Sequence, residues 1–240
     1  MKDKIYRSDS ERIKPFEFND EVTSVFSDMI NRSVPGYELI TSMMPVIAEK
    51  YAQSNSNIYD LGCSLGAVSF AIRNKIIDSG IKIIAIDSSK SMINSCKKNI
   101  EKKKIELPIE FIIDDILNIK IKNSSLVIMN FSLQFIPVEQ RDELINKIFN
   151  SLLPGGVLIL SEKIFSDSDF EDDVTTQLHF QMKKMNGYDE SEIARKREAL
   201  ENVLMPESID SHFSRLKRIG FEKYFTWFKC FNFASIIAFK

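Results

Sequence analysis

Apolar residues in the first fifty-five positions recur at the spacing of amphipathic helices. The first pattern comprises Val22, Val25, Phe26, Met29 and Ile30. A second pattern runs from Leu39 to Tyr51, after a break at residues 33–37, and a polar run at residues 53–57 follows it. This patterning predicts an N-terminal helical arm over about residues 1–55.

From Ile58 onward, short apolar runs alternate with helical segments, which is typical of βα units and a mainly parallel sheet. The predicted strands are 58–61, 81–86, 109–113, 126–131 and 156–161. The predicted helices are 66–78, 90–103 and 138–153, the last stopped by Pro154, Gly155 and Gly156. We therefore expect a doubly wound α/β fold.

The remaining segment departs from this alternation. Residues 163–212 are polar and mainly helical in pattern, which predicts an insertion rather than another βα unit. A helix through Ile209, with a stop at Gly220, precedes two aromatic-rich runs at 224–231 and 234–239. These runs predict an antiparallel hairpin with Asn232 in its turn. The expected whole is one domain, 1–240, with a seven-stranded Rossmann-like sheet.

Composition supports a globular chain and narrows its partners. The 240 residues are 44% apolar and 28% charged, which suffices for a large core. A net charge of −2 gives no general attraction for nucleic acid, so we expect no direct nucleic acid binding. Three widely spaced cysteines predict no disulfide framework and favour a reducing cytoplasm. No apolar stretch suits an export signal or a membrane span.

A glycine-containing turn, Gly62 to Gly66, follows the first predicted strand and opens a helix. Such a turn lets the backbone approach a ligand closely, although a tight turn that binds nothing has the same pattern. Asp87 ends the second strand 21 residues after Gly66, where an acidic side chain grips ribose hydroxyls in nucleotide-binding folds. Asp87 could equally cap the following helix.

Polar residues also follow the third and fourth strands. The third strand ends at Asp114, Asp115 and Ile116, and the fourth strand ends at Asn130. Together with the turn after the first strand and Asp87 after the second, four strand ends therefore present polar groups at one sheet edge. Both NAD and S-adenosylmethionine place adenosine at such an edge. The Gly62–Gly66 spacing does not match G-x-G-x-x-G and leaves no evident pyrophosphate cradle, which favours S-adenosylmethionine.

Three segments of the chain resemble motifs of the class I S-adenosylmethionine-dependent methyltransferases. They are Tyr59-Asp-Leu-Gly-Cys-Ser-Leu-Gly66, Ile84-Ala-Ile-Asp-Ser-Ser89 and Leu152-Leu-Pro-Gly-Gly-Val-Leu-Ile-Leu-Ser-Glu162. Cys63 departs from the usual middle glycine, so its backbone has less freedom.

Further segments, taken in order over nearly the whole chain, resemble the carboxy-S-adenosylmethionine synthase family. They are Arg32–Tyr37, Asn130–Phe135, Asn186–Tyr188, Lys196–Arg197 with Leu200–Val203, and Trp227–Phe233. The resemblance implies that a carboxyl group passes from prephenate to the methyl carbon of S-adenosylmethionine, with release of phenylpyruvate. It also implies that a separate enzyme uses the product to modify wobble uridine in tRNA.

The resemblance also implies roles for particular residues. Arg197 is the expected catalytic residue, because a guanidinium binds carboxylate bidentately. The expected contacts of S-adenosylmethionine are Tyr37, Gly62, Cys63, Ser64, Asp87, Ser88, Asp115, Ile116, Asn130 and Arg197. Without the resemblance, residues 195–197 would be interpreted as a solvated helix face and Tyr37 as a core aromatic. A homodimer is implied, with the 163–212 insertion as the expected contact and either subunit as the source of Arg197.

No catalytic base is evident in the sequence. The resemblance implies that none is needed, since in the family reaction the hydroxide leaving prephenate can itself take the methyl proton. We expect His179 and His212 to have surface or packing roles, Cys63 to be a packing residue, and no metal to be bound. Ordinary methyl transfer to a small molecule or RNA remains the second hypothesis, and a non-catalytic binding protein the third. The sequence Asn130-Phe131-Ser132-Leu133 lacks the Pro-Pro-Tyr pattern of amino methylation, which weakens that version of the second hypothesis.

Overall fold

The computed structural model describes residues 1–7, 13–76, 80–100 and 107–240. The helices are α1 (Asp20–Ser33), α2 (Tyr37–Tyr51), α3 (Ala67–Arg73), α4 (Lys90–Ile100), α5 (Val138–Ser151), α6 (Asp169–Met185), α7 (Glu190–Leu200) and α8 (Ile209–Ile219). The strands are β1 (Asn57–Leu61), β2 (Lys82–Asp87), β3 (Ile109–Ile113), β4 (Ser124–Asn130), β5 (Leu152–Phe165), β6 (Glu207–Ser208), β7 (Lys223–Cys230) and β8 (Phe233–Phe239).

The main sheet has the strand order β3-β2-β1-β4-β5-β8-β7. The first five strands are parallel, and β8 pairs antiparallel with both β5 and β7. The predicted doubly wound α/β class and the closing hairpin are confirmed. The sheet gains one strand that the sequence did not predict, because the two-residue β6, inside the predicted insertion, pairs with the end of β5.

Apolar clusters cover both faces of the sheet. The central strands are continuous apolar runs because both of their faces are buried. On one face, α5 and α8 pack through Leu144, Ile148 and Leu216. On the other, α2 and α3 pack through residues such as Ile40 and Ile72. The carboxyl ends of the parallel strands are consequently held in one fixed row.

Helix ends agree with the sequence in most places. Asn19 accepts a hydrogen bond from the Val22 N–H at the start of α1, and Gly220, with φ of 118°, ends α8 as expected. Helix α3 is shorter than predicted, since it ends at Arg73 in an Asn74 turn. The last predicted residues of α3, at 77–78, and of α4, at 101–103, lie outside the described residues.

The predicted helix 138–153 extends too far, because strand β5 begins at Leu152. The segment Pro154–Gly156 was expected to be a stop between helix and strand, but it belongs to the strand. The Gly155 N–H donates to the carbonyl of Lys240 across 3.1 Å, and the Lys240 N–H donates to the carbonyl of Gly156 across 3.0 Å. These bonds to the C-terminal residue come from distant sequence, so local turn residues could not reveal them.

The arm and the insertion are joined by a compact polar contact. The Arg32 guanidinium lies 3.8 Å from the Tyr188 ring centroid and donates to the carbonyl of Asn186 across 2.7 Å. The Tyr188 hydroxyl donates to Asp3 across 2.5 Å. Two segments more than 150 residues apart in sequence are thus fixed together, which closes one side of the space above the sheet edge.

The distal end of the insertion is fixed to the sheet by buried ion pairs. Glu207 in β6 accepts from Arg141 at 2.5 Å and from Arg215 at 2.7 Å. Because removal of one partner would leave a charge buried and uncompensated, these pairs hold β6 at the end of β5. Within the part of the chain that the structure describes, no helix is long and apolar enough to cross a membrane.

Candidate active site

The turn between β1 and α3 has the backbone that its glycines predict. Gly62 has φ of 81° and Gly66 has φ of 76°, while the Ser64 φ is 48°. A Cβ atom at Gly62 would lie 2.6 Å from Ser132 Cβ, so only glycine fits against the segment that follows β4. Gly62, Cys63 and Ser64 of this turn line the space above the sheet edge.

Asp87 bonds to this turn. Its Oδ2 accepts from the Ser64 N–H at 2.8 Å, and its Oδ1 accepts from the Ser89 N–H at 2.9 Å. The alternative role as helix cap belongs to Ser89, whose hydroxyl accepts from the Met92 N–H at 3.3 Å. Burial raises the pKa of Asp87 despite these two bonds. The carboxylate is positioned by the turn and would be stabilised by further donors such as hydroxyl groups.

A cavity of about 950 Å³ opens beside the turn, at the upper end of the range for small-molecule sites. The walls come from the arm, from the ends of β1, β4 and β5, and from the insertion helices α6 and α7. Of the predicted site residues, those in its wall are Tyr37, Gly62, Cys63, Ser64, Asn130 and Arg197. The volume is large enough for a nucleoside-type ligand together with a second small molecule.

The other four predicted contacts, Asp87, Ser88, Asp115 and Ile116, lie outside this cavity wall and continue along the sheet edge. Ser88 and Asp115 are exposed, whereas Ile116 is buried. The predicted contacts in the cavity wall and those along the sheet edge are joined by the hydrogen bond between the Ser64 N–H and Asp87. An elongated ligand that contacted both sets would have to cross the turn at that point.

Two buried amide oxygens in the cavity wall lack partners among the described residues. They are Oδ1 of Asn130, at the end of β4, and Oδ1 of Asn232, in the β7–β8 turn. A buried acceptor without a donor costs free energy, roughly 1–3 kcal/mol. Both oxygens are therefore suited to accept hydrogen bonds from a bound ligand. S-adenosylmethionine carries donors of this kind in its ammonium and hydroxyl groups.

Burial also changes the titration of groups beside the turn. It raises the pKa of Tyr37 to about 12, with the charge of Asp60 acting in the same direction. It raises the pKa of Asp60 to about 6, against two hydrogen bonds from Ser69. The hydrogen bond with Cys96 and then burial raise the pKa of Cys63. The Cys63 thiol thus stays protonated, in agreement with a packing role and not with a nucleophile.

Basic residues gather on the opposite wall. Lys163 at the end of β5, Lys183 on α6, and Lys196 and Arg197 on α7 all line the cavity. Desolvation and then Lys163 and Arg197 lower the pKa of Lys183 to about 8, while desolvation and then Arg197 lower that of Lys163. These shifts show mutual repulsion in a poorly solvated space.

No role was predicted for Lys163 or Lys183 from the sequence. Lys183 is one of several lysines in a polar helical segment, and no spacing pattern distinguishes it. Lys163 follows the carboxyl end of the fifth predicted strand, so the rule that ligands bind at strand ends could have identified it.

The basic run 195–197 is not the solvated face that its composition suggests. The Lys196 side chain is only 14% exposed, and its Nζ donates to the Ser33 hydroxyl at 3.0 Å. Arg197 is exposed at the cavity wall of its own chain. The fold therefore places both Lys196 and Arg197 in the cavity wall, the first largely buried and the second exposed.

Both histidines are buried in helices and have packing roles. His179 contacts the Phe233 ring and donates from Nε2 to the carbonyl of Ser33 across 2.7 Å, because a carbonyl can only accept. Burial, followed by Lys183, lowers its pKa to about 3, so the ring is neutral. His212 lies away from the cavity, near Arg215. No cluster of three or more possible metal ligands occurs among the described residues.

The strand order and the turn at the sheet edge give this chain the fold of S-adenosylmethionine-dependent methyltransferases. A family model described as a methyltransferase domain matches residues 58–156. Among solved structures, human N-acetylserotonin methyltransferase in complex with SAM is similar, with a TM-score of 0.60 and 18% identity, covering 98% of this chain and 57% of that one. A SAM-dependent methyltransferase of Methanosarcina mazei has a TM-score of 0.57 and 17% identity, covering 81% of this chain and 96% of that one.

Curated relatives narrow the class. The carboxy-S-adenosyl-L-methionine synthase of Pseudoalteromonas translucida is 49% identical over 240 residues, covering 100% of this chain and 99% of the relative. That of Shewanella oneidensis is 47% identical over 238 residues, covering 99% and 98%. The chain belongs to the carboxy-S-adenosyl-L-methionine synthase family. It is therefore an enzyme of the transferase class, and the expected fold and family are confirmed.

Proposed function

We propose that this enzyme converts S-adenosyl-L-methionine and prephenate into carboxy-S-adenosyl-L-methionine and phenylpyruvate. The observation that carries the proposal is the 49% identity, over the entire chain, to a carboxy-S-adenosyl-L-methionine synthase. S-adenosylmethionine is here a substrate whose methyl carbon is modified. The product would serve a separate enzyme as the carboxymethyl donor for wobble uridine in tRNA.

The reaction balances without an outside acid, base or oxidant. Prephenate loses its ring carboxyl group as carbon dioxide and its ring hydroxyl as hydroxide, which leaves the aromatic phenylpyruvate. Hydroxide takes a proton from the sulfonium methyl group and becomes water. The resulting ylide carbon attacks carbon dioxide and forms the new C–C bond. The protein has to bind both substrates, exclude water and hold the transferred carboxylate.

We assign these tasks to residues of the cavity and of the sheet edge. Arg197 would bind the carboxylate that is transferred, through two parallel N–H donors. Tyr37, Gly62, Cys63, Ser64 and Asn130, from the cavity wall, would contact the methionine part and the sulfonium. Asp87 would accept from the ribose hydroxyls, and Ser88, Asp115 and Ile116 would contact the adenosine part.

We also propose that the enzyme is a homodimer that pairs through α6. One face of α6 carries Phe170, Leu178 and Met185, which are 80%, 44% and 87% exposed. The opposite face carries His179 and Lys183 into the cavity wall. An exposed apolar stripe of this kind is typical of an interface between protein subunits. Pairing there would brace the wall that holds the basic residues.

The remaining assignments follow from bulk properties. We propose a single domain over residues 1–240, with arm and insertion as parts of it. All three cysteines are free, which suits a cytoplasmic enzyme. The net charge of −2 suits a protein without direct nucleic acid contacts.

The function is tested by incubating purified protein with S-adenosylmethionine alone, with prephenate alone, and with both. Mass spectrometry is expected to find a species heavier than S-adenosylmethionine by one carboxyl group only when both are present, together with phenylpyruvate. The Arg197→Ala variant is expected to lose carboxyl transfer to a much greater extent than it loses affinity for S-adenosylmethionine. Folded protein that forms no such species with both substrates would overturn the proposal.

A further inference from the structure

Lys163, Lys183 and Arg197 form a set of three basic side chains in the cavity wall, placed there by β5, α6 and α7. Among the residues that the structure describes, none of the three has a carboxylate within ion-pair distance. Desolvation and mutual repulsion lower the pKa of both lysines. Unpaired like charges in a partly desolvated space are unfavourable unless an anion occupies it.

The fourth cation of the wall, Lys196, is already engaged. Its Nζ donates to the Ser33 hydroxyl, lies 4.0 Å from Asp3, and lies 5.6 Å from the Tyr188 ring centroid. These contacts belong to the junction of arm and insertion. Lys196 therefore stabilises that junction and leaves the other three cations for a ligand.

Acidic groups of the wall are engaged elsewhere. Asp172 partly offsets Lys163 electrostatically, but its Oδ1 accepts from the Ser166 N–H at 3.0 Å. Glu192 is held in the capping box at the start of α7 by Asp189. Glu198 and Glu201 lie at the exposed end of α7, and Asp60 lies across the cavity. The pocket between β5 and α6 is left with positive charge.

We propose that Lys163 and Lys183 form a second anion subsite, which binds the carboxylate of the prephenate side chain. This subsite rests on the proposed function, in which Arg197 takes the ring carboxylate that is transferred. A small dicarboxylate needs two cationic positions, and one guanidinium cannot hold both carboxylates while one of them departs. The two lysines fix the part of the substrate that does not react, and so they determine specificity for dianions over monoanions.

The test uses Lys163→Met and Lys183→Met, which keep the length of the side chain and remove its charge. The matched control is Lys184→Met, since Lys184 is the next residue on α6, pairs with Glu190 on the surface, and is not in the cavity wall. Titration calorimetry measures the affinity of protein loaded with S-adenosylhomocysteine for succinate, and steady-state kinetics measures KM for prephenate.

Each lysine variant is expected to weaken succinate binding and raise KM for prephenate by about 10-fold or more, the value of one lost charge-assisted bond. Affinity for S-adenosylmethionine should stay within about twofold. Lys183→Arg should restore much of the lost affinity, which a purely structural role would not predict. Lys184→Met should behave as the parent protein.

The outcomes separate the subsite from the reaction. If parent protein binds succinate through the two lysines but forms no product from prephenate, the proposed reaction is wrong and the subsite stands. If parent protein forms the product and both lysine variants keep the parent KM, the subsite is wrong and the reaction stands. Loss of S-adenosylmethionine binding in the lysine variants would assign them a structural role and overturn the subsite.

Discussion

The backbone N–H of Ser64 donates to Oδ2 of Asp87 across 2.8 Å, and so the first βα turn is bonded to the acidic end of the second strand. The bond places a carboxylate beside a glycine-flanked backbone without any flexible side chain between them. Groups contributed by two separate βα units therefore act as one binding surface at the sheet edge.

Replacement of Asp87 by Asn tests this surface. The N–H groups of Ser64 and Ser89 each donate to one carboxylate oxygen of Asp87. In the Asn variant, one of these two N–H groups would face an NH₂ group instead of an acceptor. We expect affinity for S-adenosylmethionine to fall by about 10- to 100-fold, measured by calorimetry. Asp210→Asn, which changes an exposed carboxylate in the first turn of α8, is the control and should change little. Equal affinities for the two variants would remove Asp87 from the site.

The tight fit at Gly62 gives a second prediction. Gly62→Ala and Gly155→Ala both place a Cβ on a left-handed backbone, which costs about 1–2 kcal/mol in each case. At Gly62 the new Cβ also meets Ser132 at 2.6 Å, whereas at Gly155 the nearest atom is 3.9 Å away. Gly62→Ala should therefore have the lower Tm and should alone weaken S-adenosylmethionine binding. Indistinguishable variants would show that the close approach to Ser132 is unimportant.

The arm and its junction show what sequence can and cannot predict. The periodic apolar pattern correctly predicts both helices of the arm and the parallel core, because each helix buries one apolar stripe, α1 against α4 and α7 and α2 against the sheet. The contact of Arg32 with Asn186 and Tyr188 follows from the tertiary fold alone, since it joins segments without local signals of each other. Resemblance identified those segments, but only the structure explains why they belong together.

The site divides in the same way. Glycine turns and polar strand-end residues have fixed positions in a βα unit, so the location of Gly62, Asp87 and Asn130 at one sheet edge could be predicted from spacing. The place of Lys183 in the cavity wall could not be predicted, because it depends on the orientation of α6 over the sheet. Residues 152 and 153 were predicted as the end of a helix because the pairing that makes them a strand is with distant segments. Leu152 pairs with Ser124 of β4, and Gly155 and Gly156 bond to Lys240.

Glu162 predicts a dependence of stability on pH. Its buried carboxyl accepts from the N–H groups of Leu133 and Gln134 at 3.0 and 2.9 Å, and burial raises its pKa to about 8. A pKa that is higher in the folded state means that folding is favoured while the group is protonated. The Glu162 contribution should therefore be full below pH about 4.5 and be lost as pH rises toward about 8.

Comparison with Glu162→Gln measures this contribution. The amide of the variant cannot titrate. The free energy of unfolding of the parent protein should therefore fall relative to that of the variant as pH rises from 5 to 9. Urea denaturation at about five pH values measures both free energies. At the acidic end the variant should be less stable by about 1–3 kcal/mol, because one backbone N–H loses its acceptor. A difference independent of pH would contradict the raised pKa.

The proposed dimer can be tested through α6. The double variant Phe170→Ser, Met185→Ser removes the two most exposed apolar side chains of that helix. Light scattering after size-exclusion chromatography should give a dimer mass for the parent protein and a mass nearer to the monomer for the variant. Val46→Ser, which removes an exposed apolar residue of α2, is the control and should leave the dimer intact. A parent protein that elutes as a monomer would contradict the proposed interface.

The fate of the ring carboxyl carbon of prephenate tests the central claim most directly. Prephenate labelled with ¹³C at that carbon is incubated with the enzyme and S-adenosylmethionine, and the product is analysed by mass spectrometry and ¹³C NMR. The account predicts that the label appears in a carboxylate bonded to the former methyl carbon of S-adenosylmethionine, even in the presence of unlabelled bicarbonate. An unlabelled carboxylate, or a methylated prephenate that retains the label, would contradict it.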